Sequence, residues 1–243
     1  MAKHFLLIHG LWGTGAVWND VVAELERRGH TAEAPTLPGH SPGEDRSEVT
    51  FEDYVQTVVQ ALRRRPEPAV VVGHSAAGVL LQAAAPRAAD KIERLVFKNA
   101  WLVPDGHAFI DIVPPEFAEL NRNAAERSTD NSVPPQEEVF RNVILAGEPP
   151  EAKDAWARTM VPQPFVLMTT PVSTEEFARI DVPCTILLGR DDRAMPPGTY
   201  LKMAEVLGDY DVVEIDGGHI ALMTHPEAVA DGLERAVGVA ASS

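Results

Sequence analysis

The sequence predicts an α/β fold: an open, mainly parallel sheet flanked by helices, with a helical cap inserted after the fourth strand. Three observations lead there. Short β-type runs alternate with helical ones from the start of the chain, the pattern of successive βαβ units. The run Val70-Val71-Val72 is continuous and β-branched, as a central strand buried on both faces requires. The alternation stops near residue 103 and resumes near residue 180.

In chain order, His4-Phe5-Leu6-Leu7-Ile8 forms the first strand, residues 17–28 a helix, 31–34 a strand and 51–65 a helix. The central strand over 69–72 leads into a helix over 76–85, and 94–98 form the next strand. Prolines then pair at Pro114-Pro115, Pro134-Pro135 and Pro149-Pro150. Such pairs suit helix starts, where a missing N–H costs nothing, and the stretches 136–145 and 151–160 carry helix formers. A strand over 183–188, a helix over 199–207, a strand over 212–215 and a helix over 226–237 complete the chain. The division is thus a core of residues 1–102 and 180–243 and a cap of 103–179, with no internal repeat.

The 243 residues fit one such domain, and 45% hydrophobic with 23% charged residues is ordinary globular usage. A formal charge of −15 repels phosphate backbones and anionic surfaces, so neither nucleic acid nor membrane is an expected partner. The acidic stretches 24–26 and 48–53 read as solvated helix faces. The single cysteine, Cys184, lies in an apolar run; it excludes an internal disulfide and a thiolate metal cluster and reads as a core thiol. The N-terminal strand has no charged region, long apolar run and cleavage site before it, which makes a cytoplasmic location the expectation. The most apolar stretch, 69–86, is interrupted by His74, Ser75 and Gln82 and suits a strand, turn and helix better than a membrane span.

Chemistry concentrates at three strand ends. Gly73-His74-Ser75-Ala76-Ala77-Gly78 follows the central strand, the context in which a tight, strained turn lifts a nucleophilic hydroxyl off the backbone. Ala77 departs from G-x-S-x-G, with Gly78 directly after it. A serine hydroxyl needs a base with pKa near working pH, and the base needs a carboxylate to hold its tautomer. Gly189-Arg190-Asp191-Asp192 supplies the acid, Asp192 with Asp191 as its rival, and Asp216-Gly217-Gly218-His219 supplies the base. Each leaves the carboxyl end of a strand, where open α/β sheets gather their sites. The order Ser75, Asp192, His219 leaves room for an insertion before the acid and one βα unit before the histidine.

His9-Gly10-Leu11-Trp12 leaves the first strand where oxyanion donors are needed, and the backbone N–H groups of Leu11 and Ala76 are the candidates. His9 reads as a loop tether; His4, His30 and His225 read as surface residues. Trp12, Trp101, Phe165, Met195 and Ile220, with Met168 and Met223, are the candidate pocket residues. No metal site and no cofactor are expected, and the partner is a small-molecule substrate. No coiled-coil pattern or single apolar face marks an interface, so oligomeric state stays open.

These motifs resemble the α/β-hydrolase superfamily over nearly the whole chain: Leu7-Ile8-His9-Gly10, Leu37-Pro38-Gly39-His40-Ser41, the turn at Ser75, the acid loop 189–196, and Gly218-His219 with His225-Pro226-Glu227. Trp12 and Trp18 and the proline-rich stretch 161–172 are similar to small esterases of the plant methyl esterase and hydroxynitrile lyase group and to bacterial carboxylesterases. The resemblance implies a cofactor-free double displacement through an acyl-enzyme on Ser75, on an ester, lactone or thioester with a small apolar or aromatic acyl group. Lys98-Asn99 departs from relatives that often carry an acidic residue near position 99. Lyase relatives place a lysine after the catalytic histidine and a hydroxyl side chain after the first glycine; Ile220 and Leu11 stand there, which disfavours cyanohydrin cleavage.

Two other readings compete. A dinucleotide-binding strand–turn–helix could use Gly10, Gly13 and Gly15, but the glycine pattern fails at Trp18, where close helix packing wants a small residue. A non-hydrolytic lyase or cyclase using Ser75 and His219 for proton transfer shares every motif, since fold alone does not determine function.

Overall fold

A computed structural model describes residues 1–238. Its first half builds β1 (His4–Ile8), α1 (Asn19–Arg27), β2 (Thr31–Glu33), α2 (Phe51–Arg63), β3 (Ala69–His74), α3 (Ala77–Ala84) and β4 (Ile92–Lys98). Between β4 and the next sheet strand come α4 (Pro115–Arg127), β5 (Ser132–Val133), α5 (Glu137–Val139), α6 (Pro150–Ala157), β6 (Gln163–Pro164) and α7 (Val166–Thr169). The chain then returns through β7 (Cys184–Gly189), α8 (Thr199–Ala204), β8 (Asp211–Ile215), α9 (Ala221–Thr224) and α10 (Pro226–Ala236).

Six strands form one parallel sheet in the order β2-β1-β3-β4-β7-β8. Because every strand runs the same way, the loops after β1, β3, β7 and β8 emerge along one edge. Val70, Val71 and Val72 of β3 are fully buried, paired with β1 on one side and β4 on the other. Among the helices that cover the sheet, α2 starts on a reciprocal cap: Thr50 Oγ1 accepts the Asp53 N–H and Asp53 Oδ2 accepts the Thr50 N–H, which satisfies two otherwise orphaned donors.

Several expectations need correction. Residues 103–179 hold not only helices but the antiparallel pair β5–β6, because Pro134-Pro135 ends a strand there and starts no helix; Pro115 and Pro150 do stand at the first turns of α4 and α6. The helix expected over 136–145 is one turn of α5 running into a π-helical turn at Phe140–Ile144, closed by Leu145 N–H to Phe140 O at 2.7 Å; such turns re-aim side chains at the expense of regular bonding. His4 and His30 are buried, not on the surface: the β1–β2 edge is covered, so His4 Nδ1 meets Thr31 Oγ1 at 2.8 Å and His30 Nε2 meets Glu234 of α10 at 3.0 Å. Glu24 is likewise no solvated charge; it is buried and pairs with Arg27 and Arg28. Cys184 is buried, and burial pushes its thiol up to about 11. Among the described residues no helix is long and apolar enough to cross a membrane.

Candidate active site

Ser75 sits in the turn from β3 to α3 with φ of 54°, a left-handed conformation that costs an L-residue energy unless the surroundings enforce it. They do so here through two backbone bonds. The Ser75 N–H donates to Lys98 O at 3.3 Å and the Trp101 N–H donates to Ser75 O at 2.9 Å, tying the turn to the end of β4. Gly78 makes the close packing possible, since a Cβ there would stand 2.2 Å from Trp101 O. Ala77, fully buried, is tolerated because the tight approach falls one residue later than the usual motif puts it. Gly10 packs from the other side; its Cβ would stand 2.9 Å from Ser75 Cβ, so the loop after β1 lies against the serine.

At the end of β7, Asp192 Oδ2 lies 2.9 Å from His219 Nδ1, and its Oδ1 accepts the Ala194 N–H at 2.7 Å. Burial pushes this carboxyl up, but His219, Lys98 and the Ala194 N–H outweigh it and hold Asp192 well below the usual carboxylate range. Asp191 is exposed and makes a different bond, Oδ2 accepting the Gly217 N–H at 3.2 Å. Of the two candidate acids, then, Asp192 meets the imidazole and Asp191 braces the histidine loop.

Ser75 and His219 open together onto a cavity of about 440 Å³, within the usual range for small-molecule sites. Trp12, Trp101 and Met195 of the candidate pocket residues line it, together with Leu11 and with Phe109, Phe117 and Phe140 from the segment between β4 and β7. Phe165, Met168, Ile220 and Met223 do not line it. Ile220 and Met168 are fully buried, and Phe165 and Met223 pack against the core. Among the described lining residues Glu116 is the one carboxylate, and no lysine or arginine is present. No acceptor among the described residues takes the N–H of Leu11 or Ala76.

Four polar residues that carried no site role in the sequence reading support this arrangement. Tyr200 of α8 donates its hydroxyl to Asp192 Oδ2 at 2.9 Å. Gln163 Oε1 accepts the Trp12 N–H at 3.0 Å and meets His40 Nε2 at 2.9 Å, so β6 reaches back to hold the loop after β1. Asn99 Oδ1 accepts the Gly189 N–H at 2.9 Å, and buried Lys98 stands beside it. Tyr200 lies in the first turn of α8 and Gln163 lies in a distant segment, so no local motif marks either; Lys98-Asn99 stood out only as a departure. Two histidines are structural. His9 Nε2 accepts the Leu37 N–H at 3.0 Å while Nδ1 bonds Gly10 O at 2.9 Å, the tether its position suggested. His74 Nε2 donates to His219 O at 3.0 Å, steadying the His219 backbone.

The comparisons agree with this architecture. The model of the alpha/beta hydrolase family matches residues 5–232. A pyrethroid hydrolase of Sphingobium wenxiniae is 29% identical over 94% of this chain and 85% of its own length, and a carbendazim hydrolyzing esterase of a Nocardioides species is 24% identical over 95% and 98%. Among solved structures, an extracellular alpha/beta-hydrolase from a Paenibacillus species superposes with a TM-score of 0.89 at 26% identity, covering 96% of this chain and 98% of that one. The (S)-hydroxynitrile lyase of Manihot esculenta is 35% identical over 43% of this chain. A sheet of this topology with a serine turn at its centre, matched by the family over nearly its whole length, makes this chain a member of the alpha/beta hydrolase family.

Proposed function

We propose that the protein is a serine esterase acting on uncharged carboxylic esters with apolar or aromatic groups. Ser75 is the nucleophile, His219 the general base and acid, and Asp192 the carboxylate that holds the imidazole with its proton on Nδ1. The observation that carries this reading is the His219–Asp192 contact at 2.9 Å on the wall of the same cavity that Ser75 enters.

In the proposed reaction the Ser75 hydroxyl gives its proton to His219 Nε2 as its oxygen adds to the ester carbonyl. The N–H groups of Leu11 and Ala76 receive the oxyanion, and one such donor is worth about 10²–10³ in turnover. Collapse expels the alcohol, protonated by His219, and water repeats the sequence to release the acid. No cofactor enters. The segment 103–179 serves as the cap over a core of 1–102 and 180–243, its aromatic side chains excluding water and receiving the substrate. An ester suits this lining because an anion would meet Glu116 and no cation. The names of the pyrethroid hydrolase and carbendazim esterase relatives favour ester cleavage. The lyase alternative lacks a lysine on the cavity wall, and fully buried Ile220 follows the histidine.

Turnover of p-nitrophenyl acetate and butyrate, compared between wild type and Ser75→Ala, tests the reading. Hydrolysis by wild type that falls to background in the variant supports it, and a folded wild type that leaves both esters intact contradicts it.

A further inference from the structure

The mechanism leaves one buried charge without a part to play. Lys98 ends β4, is 0% exposed and does not line the cavity. Its Nζ donates to Asn99 Oδ1 and, at 3.4 Å, to the carbonyl of Gly218. Asn99 Oδ1 also accepts the Gly189 N–H at 2.9 Å. One ammonium therefore touches both the residue that anchors the start of the acid loop and the carbonyl immediately before His219.

The charged and titratable groups facing Lys98 come from every neighbouring element. Asp192 faces it from the acid loop and Glu148 from the segment before α6; His74 does so from the serine turn. His219 follows Gly218, and Tyr200 of α8 reaches Asn99 and Asp192. Glu148 is close to the histidine loop, since a Cβ on Gly218 would stand 2.3 Å from its Oε1. That oxygen is buried and has no hydrogen-bond partner among the described residues. An ammonium removed from water is costly unless countercharges surround it. Burial lowers Lys98 to about 8, while Asp192 and Glu148 oppose the fall.

We propose that Lys98 is a positioning residue of the triad: it fastens the acid and histidine loops to the end of β4 and supplies the buried positive charge that balances Asp192 while His219 is neutral. The inference rests on the reading of His219 as the base. Its electrostatic consequence has a definite sign. With Lys98 charged, part of the Asp192 field is cancelled, and the imidazolium gains less from its carboxylate. Remove that charge and His219 keeps its proton to higher pH. Glu148 acts in the opposite sense, because its loss removes a negative charge beside the same loop.

The test follows the titration of the His219 ring by ¹⁵N NMR, alongside the acid limb of kcat/KM for p-nitrophenyl butyrate, in wild type, Lys98→Met, Lys98→Arg and Glu148→Gln. Lys98→Met is expected to raise both midpoints, because it removes a positive charge beside the histidine loop. Lys98→Arg is expected to restore the wild-type midpoint, and Glu148→Gln to lower it. A folded Lys98→Met whose midpoint coincides with wild type, or a Glu148→Gln midpoint that stays or rises, overturns the proposal. If Lys98→Met does not fold, Lys98→Gln is read in its place, with the same expected rise and the same overturning result. A wild type without esterase turnover contradicts the hydrolase reading, while the NMR titration still judges Lys98 by itself.

Discussion

Tyr200 donates its hydroxyl to the same Asp192 oxygen that meets His219 Nδ1, at 2.9 Å in each case. One carboxylate oxygen thus serves two partners, and the phenol takes part of the negative charge that the imidazole would otherwise face alone. Burial, followed by the Asp192 charge and this bond, raises the Tyr200 phenol far above its ordinary value, so it stays a donor. Tyr200→Phe is expected to weaken stability by about 1.5–3 kcal/mol, the range for a hydrogen bond to a charged group. A fall of about tenfold in kcat/KM should accompany it. Urea denaturation and initial rates check the two effects separately.

The two adjacent aspartates should differ sharply. Asp192→Asn removes the acceptor that holds the His219 tautomer, and a loss of about 10⁴ in kcat is expected. Asp191→Asn keeps an amide oxygen that can accept the part-buried Gly217 N–H, so the brace on the histidine loop survives and turnover should stay within about threefold of wild type. Steady-state kinetics of the pair, with circular dichroism to verify the fold, decides the assignment.

Gln163 lies far from Ser75 in sequence yet holds the loop that offers the Leu11 N–H. Gln163→Leu leaves the Trp12 N–H and a His40 nitrogen without their buried partner, a cost of about 1–3 kcal/mol. Because the loosened loop carries the proposed oxyanion donor, kcat should fall more than KM rises. Thermal melts and a kcat-against-KM comparison read both consequences.

Acid should destabilise the protein before its carboxylates titrate. Burial is the leading cause that holds His9, His40 and His74 below their ordinary value, His9 at about 3. An unfolded chain protonates these rings near pH 6.5, so below that point it binds more protons than the native state. Stability is therefore full above about pH 6.5 and falls as pH drops toward the folded values, by up to about 1.4 kcal/mol per pH unit for each ring that stays neutral. Asp192, depressed in the fold, adds a loss only below about pH 4. Urea midpoints measured between about pH 7 and pH 5 should show this slope. His9→Gln should make it shallower by one histidine's share.

What could be read from the chain alone was what local geometry encodes. A β-branched run before Gly73 and small residues after Ser75 dictate a strand, a strained turn and a helix without help from elsewhere, and a histidine between Gly218 and an apolar run marks a second strand end. The supporting shell was hidden because it is long-range. Gln163 acts through a strand pair, β5–β6, inside a stretch that composition marks as helical, and Tyr200 acts from the first turn of a helix whose phase relative to Asp192 no motif records. The same limit misplaced pocket residues: Ile220 adjoins His219 in sequence, yet the start of α9 turns its side chain into the core. His4 and His30 read as surface because their neighbours are polar, whereas Thr31 of β2 meets His4 and Glu234 of α10, two hundred residues away, meets His30.

The central claim is that Ser75 is an activated nucleophile. A fluorophosphonate reacts covalently only with such a serine, and intact-mass and peptide mass spectrometry locate the adduct. One phosphonyl group per chain on the peptide containing Ser75, absent in Ser75→Ala and much slowed in His219→Ala, is the expected result. A folded wild type that acquires no adduct, or one whose adduct persists in Ser75→Ala, would contradict the account.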